Sequence, residues 1–335
     1  MRPIRLGHIG TLHDHSAAKL ACVRKFPELF EVVGCVVENP RRAEELRTSP
    51  PYAGVPFLTR EELLSMQPEA VLVEGFERNL IDDAMFWAER GIHTHIDKPA
   101  GDSAEKLEAL YRTAGRTGAQ IQFAYMYRYN AAVLDCLSRI GRGELGEIYE
   151  VDAIMNTCHD AKKREWLSAF PGGIQFFLGC HMIDLVYRIQ GLPERIEPFL
   201  KSTGFDGVRS IDHAFAAFVY PNGVSTVRAT STEVNGYGRR QLVVCGSEGT
   251  YEIEPLEAPT RAFFTPKSAS RTFADCRQEV SLPAFDPLCR YDAMMRDFYA
   301  FIREGKRNPY DEIYETTLEK LLLFCCGRTE VDWRK

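Results

Sequence analysis

The first third of the chain alternates short, almost continuous apolar runs with stretches of helical periodicity. "PIRLGHI" reads as a buried strand, and "SAAKLACVRKF" follows as a helix with Ser16 as its expected N-cap. "FEVVGCVVE", "AVLVEG", "HTHID" and "QIQFAYM" repeat the strand pattern. Between them lie "REELLSM", capped by Thr59, then "LIDDAMFWAER", closed by Gly91, and "SAEKLEALYRTAGRTG". Strands that are apolar on both faces, alternating with helices, predict a parallel sheet covered on each side.

The pattern changes after about residue 123. Helix "AAVLDCLSRIG" and turn "GELGE" lead to strand "IYEVDAIMNT", a polar loop, and a helix expected from Gly173 to Gln190. The segments "IEPFLKS", "HAFAAFVY", "VSTVRATS", "RQLVVCG" and "TYEIEPL" then follow with short connections, and "YPNGV" is a hairpin turn. These predict a largely antiparallel sheet, with a helical tail from Asp286. The expected organisation is therefore a doubly wound parallel domain over 1–122 and an α+β domain with an open-faced sheet over 123–335.

Composition narrows the function classes. The 335 residues carry 41 Lys+Arg against 47 Asp+Glu, a net charge of −6, with no basic run to suit nucleic acid. No apolar stretch has the length of a membrane span, and none at the N-terminus resembles a signal peptide. The ten cysteines form no C-x-x-C pair. Reduced thiols and a cytoplasmic location are expected.

The first βαβ unit carries a reduced glycine turn. On G-x-G-x-x-G, the run Gly10-Thr11-Leu12-His13-Asp14-His15 keeps only the first glycine. The context still fits a dinucleotide turn, with a strand before, a helix after, and Glu38 ending the next strand 23 positions past His15. A carboxylate there suits a ribose and repels a 2′-phosphate, so NAD is favoured, while Arg41 and Arg42 leave NADP open. The helix N-terminus offers amides to a pyrophosphate. Histidines 13 and 15 are expected to line the phosphates or the mouth of the site. No metal site is expected, because alternate residues should point apart and no fourth ligand is visible nearby.

Lys98, in "HIDKPAG", stands at the carboxyl end of a strand, where open α/β sheets take ligands. Its bond to Pro99 is a candidate for the cis form. "DKP" resembles the E-K-P signature of the Gfo/Idh/MocA family (glucose–fructose oxidoreductase, inositol dehydrogenase and relatives). "YMYRYNAAV", "PGGIQFFLGCHMIDLVY" and "RRQLVVCGSEGTYEIEPLE" resemble later segments of that family in the same order.

The resemblance implies a Rossmann domain, an NAD(P) cofactor, and hydride transfer between nicotinamide and a sugar, polyol or related hydroxy compound. It implies Lys98 and His181 as acid–base groups, with Asp184 orienting or binding. Gly10, Thr11, Leu12, His13, His15, Glu38, Gly75, Asp97 and Lys98 are the expected cofactor contacts. Tyr127, Arg128, Trp166 and Phe177 are the expected substrate contacts. Phe177 stands where the family often has an aspartate, which favours stacking on a sugar face. Two other functions stay open: glycoside cleavage through transient oxidation of the sugar, and nucleotide binding without catalysis. The expected partners are a small carbohydrate and a second copy of the chain, as homodimer or homotetramer, because an open sheet face tends to be covered.

Overall fold

The computed structural model describes residues 2–334 apart from 258, 271, 284 and 285. The chain forms two compact units, Met1–Met126 with Leu288–Glu319, and Tyr127–Pro287 with Lys320–Lys335. The tail from Leu288, expected with the second domain, therefore lies mostly with the first.

The first unit holds strands β1 (Ile4–Ile9), β2 (Phe30–Val36), β3 (Phe57–Leu58), β4 (Ala70–Val73), β5 (His93–Ile96) and β6 (Ile121–Phe123). All pair in parallel, in the order β3-β2-β1-β4-β5-β6. This is the doubly wound Rossmann order, whose strand order reverses between β1 and β4. Helices α1 (Ser16–Arg24), α2 (Pro40–Leu46), α3 (Arg60–Ser65), α4 (Leu80–Ala88) and α5 (Ala104–Thr117) connect the strands. The four residues of β4 are fully buried, as expected of a central strand covered on both faces. Thr59 caps α3 in a full capping box with Glu62. Ser16 does not cap α1. It is the first helical residue, and its hydroxyl turns inward to Tyr52 at 2.7 Å.

The second unit holds α6 (Ala131–Gly141), β7 (Ile148–Ile154), α7 (Ala161–Trp166), and α8 (Cys180–Gln190) with a π-helical turn, Gln175–Gly179, before it. Strands β8 (Arg195–Lys201), β9 (His213–Tyr220), β10 (Gly223–Thr230), β11 (Gln241–Gly246), β12 (Gly249–Ile253), β13 (Ala262–Pro266) and β14 (Gln278–Glu279) follow. The sheet order is β14-β13-β12-β11-β7-β10-β9-β8. It is antiparallel except where β7 meets β10. Period-two alternation decides its faces. Ala214, Ala216, Phe218, Val227 and Val244 are buried on the side that α8 covers. Phe199, Phe215, Ala217, Val219 and Val224 are half-buried or exposed on the other. Helices α9 (Asp292–Arg303) and α10 (Glu312–Cys325) close the chain. The α9 helix packs on the first sheet, with Phe298 against His95, ring centroids 5.6 Å apart, and Gln122 bonded to the Met294 carbonyl. None of the ten cysteines is in a disulfide. Among the described residues no helix is long and apolar enough to cross a membrane.

Two expectations come from these packings. The open sheet face, with Phe199 against Phe215 at 6.0 Å, is an apolar strip suited to a second copy, so light scattering should give a mass above the 38.0 kDa of one chain. Within β1, His8 is enclosed by Ser16, Cys35 and Tyr52. Burial holds its pKa down at about 4, against 6.5 for a free imidazole. The unfolded chain then binds a proton that the folded one refuses, so stability is full above pH 6.5 and falls as the pH drops towards 4. Unfolding in urea should show lower stability at pH 5 than at pH 7, with about 2 kcal/mol of the loss contributed by His8. His8→Leu should flatten that part of the slope.

Candidate functional site

The glycine turn is held by close backbone approach rather than by a run of glycines. Gly10 takes a left-handed φ of +77°, and a Cβ there would stand 2.5 Å from Gly75 Cα. The ends of β1 and β4 thus touch through two glycines. Beside them Glu38, just past β2, accepts the Thr11 N–H at 2.5 Å and the Thr11 hydroxyl at 2.6 Å. Arg42 donates to the same threonine, to its hydroxyl at 3.1 Å and its carbonyl at 3.2 Å. Gly10, Leu12, Val37, Glu38, Gly75 and Asn79 border a cleft of about 350 Å³. It lies at the carboxyl ends of β1, β2 and β4, where sheets of this order take nucleotides. The cleft, the carboxylate and the Gly10–Gly75 contact fit the adenosine half of a dinucleotide. Leu12, half-exposed at the second glycine position, does not reproduce that glycine's close approach.

A second cluster centres on Asp97, just past β5. Its Oδ1 accepts the Lys98 N–H at 2.7 Å, and its Oδ2 accepts from the Lys19 ammonium at 2.5 Å. Lys19 also reaches Glu74 at 2.9 Å. Lys19, Glu74, Asp97 and Lys98 are all buried. Burial opposes ionisation of Asp97, but His13, Lys19 and His15 outweigh it and hold the carboxyl well below its ordinary range. Burial, reinforced by the charge of Asp97, pushes Glu74 well above its ordinary value. The Lys98–Pro99 bond is cis.

Both His13 and His15 turn a ring nitrogen to Asp97, each Nδ1 at 3.2 Å from Oδ2. They do not point apart as an extended segment would have them, because residues 13–15 form a turn entering α1. The sequence reading missed Lys19 and Glu74. The available signals were a lysine on the inward stripe of α1, spaced with Ser16, Leu20 and Val23, and a carboxylate directly after a fully buried strand.

In the second unit, the π turn before α8 carries Phe177, and α8 carries His181 and Asp184, all buried. π-Helical turns often stand at functional sites. Asp184 is taken by Arg128, whose Nη2 donates at 2.8 Å and whose Nε spans both oxygens at 3.0 and 3.1 Å. Tyr127 stands edge-on to the His181 ring with centroids 5.0 Å apart, and its hydroxyl donates to Glu257 at 2.5 Å. Glu257 also accepts from Arg240 at 2.6 Å. Tyr127, Arg128, His181 and Asp184 thus come together. Phe177 and Trp166 form a second group, edge to face at 5.1 Å, with the Lys163 ammonium 3.8 Å from the Trp166 ring. Arg164 is bonded within the protein to Asp206 and Asp212.

Comparison with known proteins follows this geometry. Residues 134–252 match the GFO/IDH/MocA C-terminal domain. The chain is 23% identical over 321 residues to "Uncharacterized oxidoreductase ORF334" of Rhizobium meliloti, covering 92% of this chain and 91% of that one. Among solved structures, an oxidoreductase from Thermotoga maritima superimposes with a TM-score of 0.78 at 18% identity, covering 97% of this chain and 96% of the other. UDP-N-acetylglucosamine 3-dehydrogenase from Acidithiobacillus ferrooxidans gives 0.76 at 18% identity, covering 98% of each.

The Gly10–Gly75 contact makes one sharp expectation. Gly10→Ala would place a methyl group against backbone that cannot yield, in a left-handed conformation, and should destabilise the protein by about 2–5 kcal/mol. An unchanged urea midpoint would show that the turn tolerates a side chain there.

Proposed function

We propose that the chain, whose residues 134–252 match the GFO/IDH/MocA C-terminal domain, is an NAD(P)-dependent oxidoreductase acting on the CH–OH group of a sugar, polyol or related compound. The observation that carries this reading is the cleft at the carboxyl ends of β1, β2 and β4, bordered by Glu38 and by the Gly10–Gly75 contact. The similarity to a nucleotide-sugar dehydrogenase supports the substrate class, and so does the aromatic pair of Phe177 and Trp166, since aromatic faces suit the apolar faces of sugars. NAD is favoured over NADP because Glu38, which accepts from Thr11 and lines the cleft, would meet a 2′-phosphate with like charge.

The nicotinamide, when bound, supplies the hydride acceptor. The chain supplies position and proton handling. Thr11, Leu12, His13 and His15 form the turn that would face the phosphates, at the uncapped start of α1. Lys98 is the cation assigned to the developing alkoxide, and Asp97 fixes its backbone through the 2.7 Å bond to its N–H. His181 is assigned the hydroxyl proton. Asp184 orients through Arg128, to which it is bonded, so Arg128 is a positioning residue in this scheme, and Tyr127 packs the edge of the His181 ring.

The test is direct. NAD should raise the melting temperature of the full chain, more than NADP does. Lys98→Met and His181→Ala should each lower turnover by about 10²–10⁴-fold while keeping the NAD-dependent shift, as expected for removal of a positioned acid–base group. Absence of a shift with either nucleotide would sink the reading. Full activity in one variant would reassign the proton.

A further inference from the structure

The first unit brings together two cysteines that the nucleotide reading does not use. Cys22 lies on α1 and is buried. Cys289 is exposed, in the single helical turn Pro287–Cys289 that precedes α9. One ion pair joins their surroundings. Lys25 is bonded to Asp292 Oδ1 at the start of α9. Cys22 Sγ donates to the same oxygen at 3.2 Å. The Lys25 ammonium stands 4.0 Å from Cys289 Sγ and donates to the Leu288 carbonyl at 2.7 Å. The two sulfurs thus end one short chain of contacts, although α1 and α9 are far apart in sequence.

Their environments are opposite in kind. Cys289 has solvent and an ammonium beside it, and a neighbouring cation favours the thiolate, the reactive form. Burial, helped by the bond to Asp292, pushes the Cys22 thiol up to about 12, so this sulfur keeps its proton at neutral pH. We propose that Cys289 and Cys22 are an attacking and a resolving thiol, which a peroxide converts into a disulfide. The Cys289 thiolate attacks one oxygen of hydrogen peroxide. An S–O bond forms, the O–O bond breaks, and the hydroxide released takes up the proton that the thiol had lost, giving water and a sulfenic acid. The Cys22 sulfur then attacks the Cys289 sulfur. The S–S bond forms, the S–O bond breaks, and the departing hydroxide leaves as a second water with the Cys22 proton. Asp292, which already accepts the Cys22 S–H, is placed to carry that proton. Two thiols lose two electrons, and one peroxide becomes two waters. A disulfide holds its Cα atoms about 4.4–6.8 Å apart, so Cys289 must move towards α1 and Lys25 must turn aside. Both sit at the surface, with the Lys25 side chain 36% exposed. The bond ties α1 to the segment of Tyr291, whose ring lies 5.8 Å from that of His15.

This goes beyond the nucleotide reading and is tested without nucleotide. The full chain, reduced and freed of reductant, is treated with hydrogen peroxide at neutral pH, alkylated and digested without reduction. Mass spectrometry should find a peptide joining Cys22 to Cys289, lighter than the two thiols by two hydrogens and released by dithiothreitol. Cys22→Ser should leave Cys289 as a sulfenic acid that dimedone traps. Cys289→Ser, a surface change that leaves the core intact, should keep Cys22 reduced through the same treatment. Lys25→Met should slow crosslinking by about three- to tenfold, because a thiol pKa higher by about one unit leaves roughly tenfold less thiolate and a better nucleophile returns part of the loss. Cys276→Ser, which removes another exposed thiol, should leave the crosslink unchanged. Cys22 still fully alkylated after Cys289 has been oxidised, or Cys289 joined to a different cysteine, overturns the proposal.

Discussion

Burying Asp97 sets terms that the rest of the first unit must meet. An isolated carboxylate taken out of water costs many kcal/mol, and even a paired one is marginal unless its lone pairs are filled. Here the fold brings it an ammonium at 2.5 Å, a backbone N–H at 2.7 Å and the His15 imidazole at 3.2 Å. Each donor needs its own support. Lys19 is anchored by Glu74. Removing one member of such a set leaves a buried charge without its partner, a loss of about 3–5 kcal/mol. The cluster joins α1, β4 and β5 at the sheet's carboxyl edge, so the register of three elements and the direction of the Lys98 loop are specified together.

The second unit solves the same problem around α8. Asp184 lies on a helix that is apolar nearly all round, and Arg128 meets it with its planar fork, whose several N–H groups fill both oxygens at once. Tyr127 and Arg240 both donate to one oxygen of Glu257. The Arg128–Asp184 pair ties the segment of Tyr127 and Arg128 to α8, and Glu257 holds its other side. His181 is then held by shape, with Tyr127 at its edge, inside a helix whose preceding π turn offsets Phe177 from the regular 3.6-residue stripe.

How much of this the sequence carried differs by level. The parallel sheet was legible because period and apolar continuity are local signals, and "AVLVEG" and "HTHID" became β4 and β5 as read. The open sheet was legible through alternation in "HAFAAFVY". The first glycine was legible too, and the structure adds its reason, which is the approach of Gly75. The Asp97 cluster was not legible as a cluster. Its members are separated by up to 84 positions, from His13 to Asp97, and only the order of the sheet brings them together. The local reading of His13 and His15 assumed extended backbone, whereas the turn into α1 aims both rings one way. Asp184 had the opposite difficulty. Its place on a buried helix pointed to chemistry, yet its nearest partner, Arg128, lies 56 residues away, and no spacing rule reaches that far.

Glu38 serves the fold from the position at which the proposed function has it meet a ribose. The Rossmann turn normally relies on glycines to bring backbone amides to a phosphate. With Leu12 and His15 in two of those places, backbone freedom is lower, and Glu38 and Arg42 brace Thr11 from outside the turn instead. A braced turn needs less intrinsic flexibility to stay in one conformation. The Gly10–Gly75 contact then remains the one place where a side chain cannot enter, because two backbones meet there. At its second and third glycine positions the turn is therefore held by side chains, Glu38 just past β2 and Arg42 on α2, rather than by backbone freedom.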